Sequence, residues 1–145
     1  MTCLLDVNAL VALAWPNHVH HASAHTWFAP NHRQGWATCP LTESGFVRVS
    51  SSPRATSEAR TPGEAILLLR KILDLPGHAF WQDDVSIADE QNLAPERLLG
   101  YRQVTDAHLL SLAIRRGGRL LTFDRGILEL VPKGRDPEEV LVLLR

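Results

Sequence analysis

Residues 105–124 read TDAHLLSLAIRRGGRLLTFD and hold one complete helix-to-strand unit. Thr105–Arg116 carries apolar residues at helical spacing, and Gly117-Gly118 ends that helix. Arg119–Phe123 then reads as a short strand stopped by Asp124. The amino-terminal stretch has the same parts in the opposite order. Thr2–Leu5 is a short apolar run that ends at Asp6, and Val7–Trp15 follows at helical density up to Pro16.

Between these two units the pattern repeats with weaker signals. His18–Phe28 is helical in pattern, Pro30, Asn31 and Gly35 mark a turn, and Gly35–Cys39 reads as a second strand. Pro40–Val49 resumes helix with Leu41, Phe46 and Val47 inward, and Ser50–Pro62 is a connection rich in Ser, Pro and Arg. Thr61-Pro62-Gly63-Glu64 combines an N-cap hydroxyl, a proline at the first helical position and a glutamate three residues after the cap. The helix it opens runs to about Asp74. His78–Trp81 is a further strand, Ser86–Asp89 repeats the capping pattern for a short helix, and Val140–Leu144 is a last apolar run. Short strands between longer helices predict an α/β fold, a central parallel sheet flanked by helices on both faces.

The 145 residues fit one domain, 1–145, with a full core. Fifteen basic against 16 acidic side chains, net −1, exclude a globally basic nucleic-acid coat but not a local site. Cys3 and Cys39 are far apart and not at metal-binding spacing, which fits free thiols in a reducing compartment. Five residues before Asp6 leave no room for a signal peptide, and no apolar run approaches the ~20 residues of a membrane helix. The expected place is the cytoplasm, with no membrane partner.

Ligands of open parallel sheets bind outside the carboxyl ends of the strands. Asp6 and Asp124 end strands, while Glu43 and Asp106 fall in first helical turns at that same edge. Each has an ordinary alternative: Asp106 and Asp124 as helix caps, Glu43 as a dipole partner. Asp6 is harder to explain so, because it follows a buried run with no Arg or Lys nearby in sequence. Two like charges ~4 Å apart repel by about 4 kcal/mol at an effective dielectric of 20, so clustered carboxylates need a cation or protons. Oxygen ligands suit Mg²⁺, or Mn²⁺ as a substitute, and such ions accept phosphate oxygens. That chemistry is metal-assisted phosphodiester hydrolysis.

Leu4-Leu5-Asp6-Val7-Asn8-Ala9-Leu10, Thr42-Glu43, Thr105-Asp106-Ala107-His108-Leu109-Leu110 and Leu121-Thr122-Phe123-Asp124-Arg125-Gly126 together resemble the four acidic motifs of PIN-domain ribonucleases. Trp15-Pro16-Asn17-His18 and Phe80-Trp81-Gln82-Asp83-Asp84 are similar to a mycobacterial subgroup of VapC toxins from type II toxin–antitoxin systems. The resemblance implies a PIN fold, Mg²⁺-dependent cleavage of RNA, a homodimer, and inhibition by a VapB antitoxin. It also implies that Asp6 and Asp106 are the principal metal ligands and that Glu43 and Asp124 complete the pocket. Asn8 and Thr105 would orient those ligands. One departure is Ser50-Ser51-Ser52-Pro53, where the motif leads one to expect Ser-Asn-Pro.

Among the arginines, Arg125 is the leading candidate for a phosphate contact because it follows Asp124. The histidines between His18 and His32 read as a helix face rather than a zinc site, since no Cys or carboxylate accompanies them. Trp27, Trp36 and Trp81 read as core, and Asp83-Asp84 as a solvated approach to a helix. The competing class is a non-catalytic α/β binding or regulatory module. A receiver-like domain would need an acidic pair at the first strand and a lysine near the last strand. Here Asp6 stands alone, and the only lysines are Lys71 and Lys133. A haloacid-dehalogenase-like phosphatase fails similarly, because Asp6-Val7-Asn8 lacks a second aspartate.

Overall fold

Along the first strand, β1 (Cys3–Leu5), Cys3 and Leu5 are buried in one hydrophobic cluster and Leu4 in another. Successive side chains of a strand point to opposite faces, so this sheet is covered on both. The computed structural model describes all 145 residues. The remaining strands are β2 (Trp36–Thr38), β3 (His78–Phe80), β4 (Arg119–Thr122) and β5 (Leu141–Leu143). Their order is β3-β2-β1-β4-β5, and every neighbouring pair is parallel.

Helices α1 (Val7–Ala14), α2 (His21–Asn31), α3 (Pro40–Ser50) and α4 (Pro62–Leu73) pack on the Cys3/Leu5 face. The fully buried Trp36 and Phe46 sit at the centre of that layer. The longer helix on the opposite face, α5 (Val104–Arg115), buries Leu109, Leu110 and Leu112 against Leu4 and Leu120. The short α6 (Pro137–Val140) joins it there. Each fully buried leucine stabilises by about 1.5–3 kcal/mol, so these two layers carry the fold. No helix is long and apolar enough to cross a membrane.

The predicted class and strand positions hold, and the departures have local causes. The helix expected over His18–Phe28 starts at His21, because His18 is used to accept the backbone N–H of His20. It continues through Pro30 to Asn31 instead of turning there. The carbonyls near its end are satisfied from the side: Asn31 Nδ2 donates to Trp27 O at 2.6 Å and His32 Nδ1 to Phe28 O at 2.9 Å. Thr61 and Glu64 form the expected reciprocal cap, each bond 3.2 Å long. The last apolar run becomes β5, paired with β4 from Leu141 to Leu143.

The short helix expected from Ser86 does not form. Ser86 and Asp89 make a single turn, Asp89 N donating to Ser86 O. The acids of this segment are drawn to α5 instead. Asp83 Oδ2 lies 2.6 Å from His108 Nε2, and both are largely buried. Asp84 lies 3.5 Å from Arg115, and Glu90 lies 3.7 Å from the same side chain. Asp83 is therefore an anchor between loop and helix rather than a solvated approach, while Asp84 is exposed as expected.

Candidate active site

Asp6 ends β1 and caps α1. Its Oδ1 accepts the backbone N–H of Ala9 at 2.7 Å, and its own N–H continues the ladder to Leu121 O at 3.1 Å. Its Oδ2 accepts the hydroxyl of Thr122, on the neighbouring strand, at 2.6 Å. Those two bonds answer why an acid can follow a buried strand without a cation beside it. Only 5% of Asp6 is exposed, and the carboxylate is fixed at both oxygens.

The same Thr122 oxygen accepts the backbone N–H of Asp124 at 3.0 Å, so one buried hydroxyl ties the two acids together. Asp124 also caps the turn that follows, its Oδ1 accepting Gly126 N–H at 2.8 Å. Asp106 sits in the first turn of α5 but does not cap it; no side chain caps that helix. Asp6, Asp106 and Asp124 line one open cleft of about 290 Å³, together with Asn8, Thr105 and Arg48. Asp6 lies buried, Asp106 half-buried and Asp124 exposed. Asp124 thus makes the expected cap, Asp106 does not, and Asp6 caps α1 as well; all three also border the cleft.

The electrostatics follow from that crowding. Burial pushes the Asp6 carboxyl up to about 6, with Asp124 adding repulsion against the lowering effect of Thr122 and Ala9. Asp106 is pushed up to about 7, first by burial and then by the charges of Asp6 and Asp124. A hydrogen bond shared with Asp124 further favours its protonated form. Both carboxyls therefore keep their protons to higher pH than free ones, and a bound cation would favour their release.

Glu43 stands apart from this cleft. Its Oε2 accepts the hydroxyl of buried Thr38 at 2.7 Å, and that hydroxyl in turn accepts from His78 Nε2 at 2.7 Å. Glu43 borders an adjoining cavity between α3 and α4, and Arg48 lines both spaces. Arg125 is exposed and does not line the acidic cleft, whereas Arg48 does. Sequence order favoured Arg125; the useful signal lay in Gly45. A Cβ there would stand 2.5 Å from Val7 Cγ2, so α3 crosses α1 at closest approach. Arg48 and Val49, three and four residues on, share that face and border the cleft beside Asn8. Thr38, which holds Glu43, carried no sequence signal beyond its strand position, and Thr122 stood inside the fourth acidic motif without a role assigned to it.

The donor set suits a hard divalent ion. It offers carboxylates, an amide and a hydroxyl, and no sulfur or imidazole. No three His, Cys, Asp or Glu side chains are gathered tightly enough to cage a metal alone. An ion here would keep water ligands, as Mg²⁺ prefers.

The family model "PIN domain" matches residues 3–133. The chain is 51% identical to Ribonuclease VapC38 of Mycobacterium tuberculosis over 142 residues, 97% of this chain and 99% of that protein. It is 47% identical to Ribonuclease VapC39 of the same organism over 134 residues, 92% and 96% of the two chains. Ribonuclease VapC44, again from Mycobacterium tuberculosis, is 44% identical over 133 residues, 91% and 93% of the two chains.

Proposed function

Because the chain belongs to the PIN-domain family, we propose that it is a Mg²⁺-dependent endoribonuclease, the toxin of a type II toxin–antitoxin pair. The observation that carries this reading is the convergence of Asp6, Asp106 and Asp124, from three separate parts of the chain, on one cleft. The names of the similar proteins, all ribonucleases, support it. The whole chain, residues 1–145, acts as one such domain in the cytoplasm, as a homodimer restrained by a VapB antitoxin.

In this reading Asp6 and Asp106 hold the ion and Asp124 completes its water-filled shell. Bound Mg²⁺, with Mn²⁺ as a substitute, would draw charge from the scissile phosphate and acidify the attacking water. Asp6 is pre-positioned by Thr122 and Ala9, so little side-chain freedom is lost on binding. Asn8 and Thr105 orient the water and carboxylate ligands at the rim. Arg48 supplies positive charge where the RNA phosphates pass. Glu43, held by Thr38, shapes the field from the adjoining cavity.

Incubation with total bacterial RNA, in Mg²⁺ or EDTA, followed by sequencing of new 5′ ends, tests the reading. Discrete cuts that vanish with EDTA and in Asp6→Asn/Asp106→Asn support it. Intact RNA from folded, metal-loaded, antitoxin-free protein would demote the chain to a binding module.

A further inference from the structure

Beside the acidic cleft lies a larger pocket of about 490 Å³ that shares Asn8 and Val49 with it. Its wall includes Trp15, Asn17, His18 and Thr56. Trp15 is half-buried, and its Nε1–H is already spent on Ser50 Oγ at 2.9 Å, so what the ring still offers is apolar surface. The Arg60 guanidinium stands 5.7 Å from the centre of that ring. Asn17 is exposed and carries both an amide donor and an acceptor.

His18 joins this pocket to the cleft. Its Nδ1 accepts the backbone N–H of His20 at 3.0 Å, which leaves the proton on Nε2. Nε2 lies 3.3 Å from Asn8 Oδ1 and donates to it. Asn8 is thus oriented from the pocket side while it borders the carboxylates.

An aromatic face, an amide, a hydroxyl and a nearby guanidinium are the groups that recognise an unpaired nucleobase and its phosphate. A phosphate held through an ion at Asp6 and Asp106 would have its neighbouring nucleotide at the Asn8–Val49 boundary. We infer that this pocket holds the unpaired base next to the cleaved phosphodiester, stacked along Trp15 and read by Asn17, and so sets the sequence preference of the cut. The inference rests on the nuclease reading above and adds a specificity site to it.

A single-stranded RNA library, randomised around one position and cleaved in Mg²⁺, tests it when the cut ends are sequenced for wild type, Asn17→Ala and Trp15→Phe. Asn17 is exposed, so its variant keeps the fold. The expected result is a preference at one flanking position that Asn17→Ala flattens by about tenfold, with KM raised and kcat little changed. Trp15→Phe keeps a ring and raises KM less. Identical base profiles and KM in all three proteins, or a uniform loss at every sequence, would overturn the pocket assignment while leaving the nuclease intact. A wild type that cuts total RNA but no member of the library would overturn the pocket assignment alone, and one that leaves both intact would overturn both.

Discussion

Thr122 and Asp6 are separated by 116 residues of chain, yet the Thr122 hydroxyl donates to Asp6 Oδ2 over 2.6 Å. The parallel pairing of β1 with β4 creates that contact, and the same oxygen accepts the Asp124 N–H. Two acids of the site are thus positioned by one fully buried hydroxyl.

Thr122→Val keeps the shape and removes that hydroxyl. It leaves Asp6 Oδ2 without a donor and the Asp124 N–H without an acceptor. Loss of a buried partner of this kind costs about 1–3 kcal/mol. Chemical denaturation should show that loss, and Mg²⁺ titration should show weaker binding, since Asp6 is then harder to ionise.

Asp6→Asn should separate stability from activity. The folded Asp6 titrates near 6, above its ordinary 3.8. A raised carboxyl pKa contributes stability below the unfolded value, and that contribution is lost as pH rises through the folded one. At neutral pH the ionised Asp6 therefore destabilises the metal-free protein. The asparagine variant should melt about 5 °C higher without metal and gain nothing from added Mg²⁺. Its RNA cleavage should fall at least about a hundredfold.

The acid range has a definite sign. Asp6 and Asp106, near 6 and near 7, must both lose protons before a cation is held well. At subsaturating Mg²⁺ the cleavage rate should rise from about pH 5.5 to about pH 8 and flatten when Mg²⁺ is saturating. Metal-free stability should instead fall as pH rises from about 4, the ordinary carboxyl value, through about 7, the folded value of Asp106. A cleavage rate independent of pH at low Mg²⁺ would contradict this assignment.

Much of the fold was legible because strand ends, glycine stops and the Thr61 cap are local signals. The failure at Ser86 was a tertiary one: Asp83, Asp84 and Glu90 find partners on α5, which no local pattern announces. In the site, the acids were visible as polar residues following apolar runs. Their relative placement was not, because Glu43 is turned to Thr38 and Arg48 enters the cleft through the close crossing at Gly45. Proximity in sequence pointed to Arg125, and proximity in space selected Arg48.

That crossing gives a packing test. Gly45→Ala gains helix propensity of about 1 kcal/mol, but the new methyl meets Val7 Cγ2 at 2.5 Å. Val7 is stiff at χ1, so α1 and α3 must separate, at a net loss of about 1–2 kcal/mol. The double variant Val7→Ala/Gly45→Ala should recover part of the loss, which a double-mutant cycle by thermal denaturation would read.

Glu43→Gln should reduce cleavage far less than Asp106→Asn, about tenfold against at least about a hundredfold, because Glu43 lies outside the cleft. Single-turnover rates at saturating Mg²⁺ compare the two directly. Equal losses would place Glu43 among the ligands.

The most direct test of the central claim is a calorimetric titration of Mn²⁺ into wild type and Asp106→Asn, with RNA cleavage followed in the same preparations. The expected result is saturable binding to wild type, binding lost or greatly weakened in the variant, and cleavage that tracks occupancy. Unchanged binding in Asp106→Asn, or cleavage by wild type that binds no metal, would contradict a metal site built on Asp6 and Asp106.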